Sequence, residues 1–360
     1  MYCLFGAIGN VSKPPVEFGK LLKHFSGPFP RRGLSRSCGI AAVAALVLCS
    51  CDKLTVSQPK RFKVGFAQIA NEGPWRETNS KSIKDEALRR NIELVFFESQ
   101  NRELTGGQQQ PAQKEALWSF IREKVDVIAF SPVVETGWND VLNEAKAKGI
   151  PVILTDRNVS GSEESLVATF IGADFVEEGR RAARWLADEF EHTQGPVNII
   201  EVQGTPDSAP AIQRHQGFVE IISKPEYQGH LRIARSVVGN FNYKEAKNVM
   251  TALLQNNDPQ QINAVFAHSD AMAFAAIAAL EEAGLKPGGQ IKIVSIDATD
   301  EGCKEIYKGR LNCAVECKSR LGVYLFDAAE AAPKSMAMPA RIIIAEGVYD
   351  GTNVAKCGQE

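Results

Sequence analysis

Residues 127–157 read VIAFSPVVETGWNDVLNEAKAKGIPVILTDR. Two continuous apolar runs, Val127 to Phe130 and Pro151 to Leu154, bracket a stretch from Trp138 to Lys148 rich in Ala, Lys and Glu. Apolar runs without alternation suit strands buried on both faces, and an amphipathic helix between two of them makes a parallel strand–helix–strand unit. Polar residues follow each run: Ser131 after the first, Asp156 and Arg157 after the second. This stretch therefore predicts a parallel sheet that carries its chemistry at the strand ends.

The same rhythm extends both ways. Upstream lie apolar runs at 62–67 and 92–97, with helical patterns at 76–90 and 113–123. Downstream, helical patterns at 177–190, 217–223, 243–254 and 272–283 alternate with apolar runs at 197–202, 231–233, 264–267 and 291–296. The fold class is α/β: two doubly wound parallel-sheet lobes of similar size, as 360 residues also favour. No Pro/Gly-rich linker separates them, so the chain is expected to cross between lobes through a hinge. The expected lobes are 62–173 plus about 317–345, and 174–316 plus about 346–356.

Hydrophobic residues at 44% and charged residues at 23% exclude a disordered chain. Lys plus Arg total 41 against 43 for Asp plus Glu, so the basic excess of a nucleic-acid partner is missing. The His and Cys residues show no zinc-finger spacing, and neither metal nor cofactor is expected. Gly-x-Gly-x-x-Gly, the phosphate loop and the Gly-x-Ser-x-Gly elbow are all absent, which argues against an enzyme.

The amino-terminal segment reads differently. Cys38 to Cys49 is apolar and uncharged and follows Arg31, Arg32 and Arg36. A charged start and about a dozen apolar residues make an export signal, too short to span a bilayer. Leu48-Cys49-Ser50-Cys51 then resembles a bacterial lipoprotein cleavage site, which implies acylation of Cys51. Asp52 beside it resembles the signal that retains such proteins on the inner membrane. Residues 1–51 are thus expected to be removed or lipidated, leaving a periplasmic protein whose membrane contact is its lipid. Residues 1–33, with Pro14, Pro15, Pro28 and Pro30, are long for such a signal and suggest a translation start placed too early.

In open parallel sheets ligands sit outside the carboxyl ends of the strands. Those positions hold Glu72, Trp75 and Arg76; Asp156 and Arg157; Gln203 to Thr205 with Arg214; His268 to Asp270; and Asp297. Carboxylates accept sugar hydroxyls, guanidinium groups donate in a planar fork, and an indole face covers the C–H side of a sugar ring. A single Asp–Arg pair is more simply a cap or a surface ion pair. Recurrence at strand ends in both halves favours a cleft.

Gly65-Phe66-Ala67-Gln68 with Trp75-Arg76, the Ser131 to Trp138 run, Thr155-Asp156-Arg157, Gln203-Gly204-Thr205, His268-Ser269-Asp270 and Ile296-Asp297 together resemble the periplasmic sugar-binding proteins of ABC importers. The Pro-Val-Val-x-Thr-Gly-Trp run and the Trp-Arg pair are more similar to the galactofuranose-binding branch than to the ribose-binding one. The resemblance spans about 62–354 and implies the type I periplasmic binding fold, with closure on a monosaccharide and delivery of a monomer to permease subunits. It implies ligand contacts at Glu72, Trp75, Arg76, Asp156, Arg157, Arg214, Ser269, Asp270 and Asp297, with Phe241 and Glu316 at further contact positions. It also implies that His268 stands in the wall rather than in a catalytic relay. An alternative is a sugar-sensing lipoprotein that presents its closed form to a chemoreceptor or sensor kinase.

Ser269 stands where the family usually has Asn, Phe175 where Asn is common, and Cys317-Lys318-Ser319-Arg320 where Pro with Asn or Asp is usual. The Arg102 to Pro111 segment is unlike the family. In an oxidising compartment Cys303, Cys313, Cys317 and Cys357 become candidates for a disulfide. Cys313 and Cys317, four residues apart on one strand, are too far apart to bridge, so the expected pair involves Cys303 or Cys357.

Overall fold

The computed structural model describes residues 61–100, 108–256, 261–334 and 338–358. The expected export segment with Cys51, and residues 102–107 of the unusual loop, lie outside the described residues.

The first lobe is built on β1 (Lys63–Gln68), β2 (Glu93–Glu98), β3 (Val127–Phe130), β4 (Val152–Thr155), β5 (Thr169–Gly172) and β11 (Arg341–Ile343). They pair in parallel in the order β11-β5-β4-β3-β1-β2. The second lobe uses β6 (Val197–Gln203), β7 (Leu231–Val238), β8 (Ala264–Ala267), β9 (Lys292–Asp297), β10 (Cys313–Glu316) and β12 (Val348–Asp350). Its order, β12-β10-β9-β8-β6-β7, repeats the first, except that β12 runs antiparallel to β10. In each sheet the order reverses beside the lobe's first strand, at β1/β3 and at β6/β8. Crevices at such switch points open at the carboxyl ends of the strands.

Helices α1 (Pro74–Arg89), α2 (Gln110–Arg122), α3 (Asn139–Ala147) and α9 (Gly322–Ala331) cover the first sheet. Helices α4 (Phe175–Glu189), α5 (Ala209–Ile222), α6 (Tyr243–Asn256), α7 (Asp270–Glu282) and α8 (Asp300–Tyr307) cover the second. Each sheet is thereby buried on both faces. Phe120, Phe130 and Trp138 fill one side of the first, and Phe66, Leu325 and Phe326 the other. Met250 and Met272 oppose Phe218 and Phe266 across the second. Full burial of such a side chain stabilises by about 1.5–3 kcal/mol, which is why these strands read as unbroken apolar runs.

The chain changes lobe between β5 and α4, between β10 and α9, and between β11 and β12. Cys317 to Arg320 form part of the second crossing. The α4–α5 contact brings backbones together: a Cβ at Gly179 would lie 2.1 Å from the Arg214 carbonyl oxygen, and one at Gly217 would lie 1.9 Å from that of Val176. These two glycines let α5 lie close enough to α4 for Arg214 to reach Glu178.

Several elements differ from the sequence reading. Helix α5 starts at Ala209 rather than at Gly217, with Pro210 in its first turn, where a missing N–H costs nothing. Strand β7 continues to Val238, five residues beyond the apolar run, where exposed Arg235, Ser236 and Val238 hide the strand from a search for apolar runs. Strand β5 has no counterpart in the sequence reading; its four residues, Thr-Phe-Ile-Gly, are too few to show a period, yet all are buried.

Candidate functional site

A cavity of about 260 Å³ lies between the two lobes, near the lower bound of roughly 300 Å³ for small-ligand sites. Ten of the eleven anticipated binding residues line it, all but Glu316.

The first-lobe wall is an interlocked quartet of charges. Arg76, in the first turn of α1, places Nη2 2.7 Å from Asp156 Oδ2 and 3.4 Å from Glu72 Oε2. Arg157 Nη2 donates to Glu72 Oε2 at 2.6 Å, and Ser131 Oγ donates to Asp156 Oδ2 at 3.0 Å. Burial opposes the charge on Arg76, but Asp156 and Glu72 outweigh it and hold the guanidinium above its usual pKa. Asp156 has φ 63°, the left-handed region that costs a non-glycine residue free energy and recurs at ligand sites. The Nε atoms of Arg76 and Arg157 make no hydrogen bond, so the quartet balances charge without exhausting its donors. The Trp75 ring lies beside it, 4.6 Å from the Arg76 guanidinium, and its Nε1 donates to the Cys317 carbonyl at 2.7 Å.

In the second-lobe wall, Arg214 Nε donates to Glu178 Oε2 and Nη1 to the His268 carbonyl, both at 2.7 Å. Phe241, also left-handed at φ 54°, turns its ring under Arg157 and Arg214, 5.4 and 5.9 Å from their guanidinium carbons. Ser269 caps α7, its Oγ accepting from Met272 N. Asp270 accepts from Ser295 Oγ and, at 2.7 Å, from both the backbone N and the hydroxyl of Thr299. Burial pushes its carboxyl up to about 6 against these bonds. Asp297 accepts from the Asp270 backbone at 3.3 Å, and burial, with Asp270 alongside, raises its carboxyl well above the usual range.

One anticipated contact residue stands apart from the others. Glu316 does not line the cavity: at the end of β10 it accepts from Gly347 N at 2.8 Å and from the Tyr349 hydroxyl, and so braces the third crossing. Asp270 and Ser269 do line it, but their oxygens are engaged in capping and in joining β9 to α7. His268 is fully buried behind the wall, its Nε2 3.1 Å from Glu201 Oε1. The sequence reading missed Tyr243, Phe274 and Thr299 in the lining, because apolar and hydroxyl residues at helix starts look like ordinary packing and caps. It also missed that Glu178 and Glu346 join Cys317 at the hinge, with one potential ligand atom of each within 4.8 Å of the others. Burial raises Glu346 to about 9, with the Glu178 charge adding to the effect. The disulfide joins Cys303 to Cys357, while Cys313 and Cys317 are buried free thiols.

A cavity of this size between two like lobes, lined by aromatic rings and by charged and hydroxyl side chains, is suited to hold a small ligand. Residues 64–322 match the periplasmic binding protein domain family. The chain belongs to this family. It is 34% identical over 315 residues to the galactofuranose-binding protein YtfQ of Escherichia coli, covering 87% of this chain and 95% of that relative. A Mycobacterium smegmatis structure in complex with β-D-fucofuranose superposes with a TM-score of 0.76 at 43% identity, covering 82% of this chain and 93% of the other. The periplasmic binding component of an arabinose ABC transporter from a Shewanella species, bound to L-arabinofuranose, gives 0.74 at 39%, covering 81% and 93%. The protein is therefore a solute-binding member of this family, not an enzyme, and its folded part works outside the cytoplasm.

Proposed function

We propose that the protein captures a monosaccharide in its five-membered-ring form, galactofuranose or a close analogue, and hands it to an ABC permease. The observation that carries this reading is the composition of the cavity: Trp75 and Phe241 offer apolar planes, while the Arg76–Asp156–Arg157–Glu72 quartet and Asp297 offer fixed polar groups from both lobes. A neutral polyol requires oriented donors and acceptors rather than net charge, and C–H faces to match the aromatic rings. The furanose sugars held by the two structural neighbours support the ring size.

Capture proceeds by closure. A sugar bridging both walls makes contacts that neither lobe makes alone, so it stabilises the closed form by its differential affinity. The closed monomer is the form the permease receives. A lipid on Cys51, next to Asp52, holds it at the inner membrane; Cys51→Ser abolishes lipid labelling and leaves an unprocessed precursor, and undiminished labelling rejects the anchor. Calorimetry with galactofuranose, arabinose, ribose and galactose tests the ligand. Preference for the first two supports the reading, and no binding of any of the four removes it.

A further inference from the structure

The Ser131 to Trp138 run stands out in the sequence, yet none of its residues lines the cavity. The first lobe nevertheless holds this loop firmly. Trp138 is fully buried, its ring centre 5.1 Å from that of Phe130 and its Nε1 donating to the Val134 carbonyl at 2.8 Å. Glu163 Oε1 accepts from the backbone N of Gly137, Trp138 and Asn139 at 2.8–3.1 Å. Ser160 N donates to the Glu135 carbonyl at 2.9 Å, and Gln110 and Lys114 hold the carbonyls of Thr136 and Gly137. A loop restrained this densely presents its tip in one geometry.

That tip meets the other lobe outside the three chain crossings. Glu135 N donates to the Asp207 carbonyl at 3.1 Å, and Gln213 Nε2 donates to Glu135 Oε1 at 3.2 Å. Glu135 is half-buried there, and Asp207 sits in the left-handed region at φ 62° to offer its carbonyl. Gln213 immediately precedes Arg214 on α5, so the helix that carries a cavity guanidinium also carries the rim contact.

We infer that Glu135 and Gln213 form a latch: positioning residues that do not touch the sugar but hold the lobes shut over it and set how long it stays bound. The inference rests on the reading of the cavity as a closing sugar site. A bond that breaks when the lobes part, and that lies outside the ligand interface, acts mainly on dissociation. The Glu135 backbone bond survives substitution, so the side-chain bond to Gln213 is the part that mutation isolates.

Stopped-flow tryptophan fluorescence with galactofuranose and with arabinose reads both rates. Glu135→Ala is expected to speed release by about ten-fold, the worth of one hydrogen bond to a charged acceptor, and to leave association within about two-fold. Glu135→Gln keeps an acceptor oxygen for Gln213 and is expected to restore slow release. Release of sugar by Glu135→Ala at the parental rate overturns the latch, as does an equal fall in both rates. A second variant needs no sugar to bind: Glu135→Cys with Gln213→Cys, treated with a short bis-maleimide. Cross-linking between the two positions, with trapping of the closed form seen as a fall in radius of gyration, supports the latch. Failure to cross-link with or without sugar overturns it. Cross-linking in a protein that binds none of the sugars leaves the latch standing and removes the ligand reading instead.

Discussion

Asp270 has three protein donors on its carboxylate, from Ser295 and Thr299, whereas Asp297 accepts from one backbone N–H among the described residues. The two stand at adjacent strand ends, and their different saturation predicts a structural role for Asp270 and a binding role for Asp297. Asp297→Ala should weaken sugar binding by roughly five- to a hundred-fold, since leaving a buried hydroxyl without its partner costs about 1–3 kcal/mol and about 1.4 kcal/mol is one decade. Calorimetry on the folded variant reads this. Asp270→Ala should instead destabilise the sugar-free protein by about 1–3 kcal/mol, because Ser295 and Thr299 are left without their acceptor. Denaturant unfolding that shows Asp270→Ala as stable as the parent would assign the two carboxylates the other way round.

The third crossing and the chain end are elements whose stability is separately testable. The Cys303–Cys357 bond pins the carboxyl-terminal segment to α8 across a sequence separation of 54. Closing a loop of that length is worth about 4 kcal/mol on the chain-entropy model. Cys303→Ser with Cys357→Ser should lower the denaturation midpoint, and its midpoint should no longer respond to reductant. Alkylation of the native parent should find Cys303 and Cys357 protected. The third crossing carries Glu346, whose folded pKa of about 9 stands above its ordinary 4.5. The folded chain thus holds this proton more tightly than the unfolded chain does. The associated stability is complete below about pH 4.5, declines as pH rises, and is gone above about 9. Glu346→Gln should flatten the fall in melting temperature between those limits, and an unchanged slope would show that other groups cause it.

For the molecule as a whole, Trp75 connects cavity and hinge, because its ring lines the cavity and its Nε1 bonds to the crossing at Cys317. Sugar binding should change tryptophan fluorescence and reduce the radius of gyration together. Trp75→Ala should lose most of the fluorescence change and weaken binding by about ten-fold, in line with the roughly 0.5–1.5 kcal/mol of ring packing plus lost buried area. Parental affinity in this variant would place the sugar away from the indole.

The parallel strands and covering helices were legible from residues 127–157 outward, because strands buried on both faces must be apolar throughout and helices between them must be amphipathic. The strand-end residues Trp75, Arg76, Asp156, Arg157 and Asp297 were legible for a related reason: charge at the end of an apolar run has no packing role to explain it. The sequence could not rank these groups among themselves. Whether a carboxylate is free for a ligand depends on donors distant in the chain, as Thr299 is for Asp270 and Gly347 is for Glu316. The pairing of Cys303 with Cys357 and the contact of Glu135 with Gln213 depend likewise on how separate elements dock. Local periodicity reports only which face of an element is buried. Tertiary packing alone decided which buried polar groups satisfy one another and which remain for the ligand.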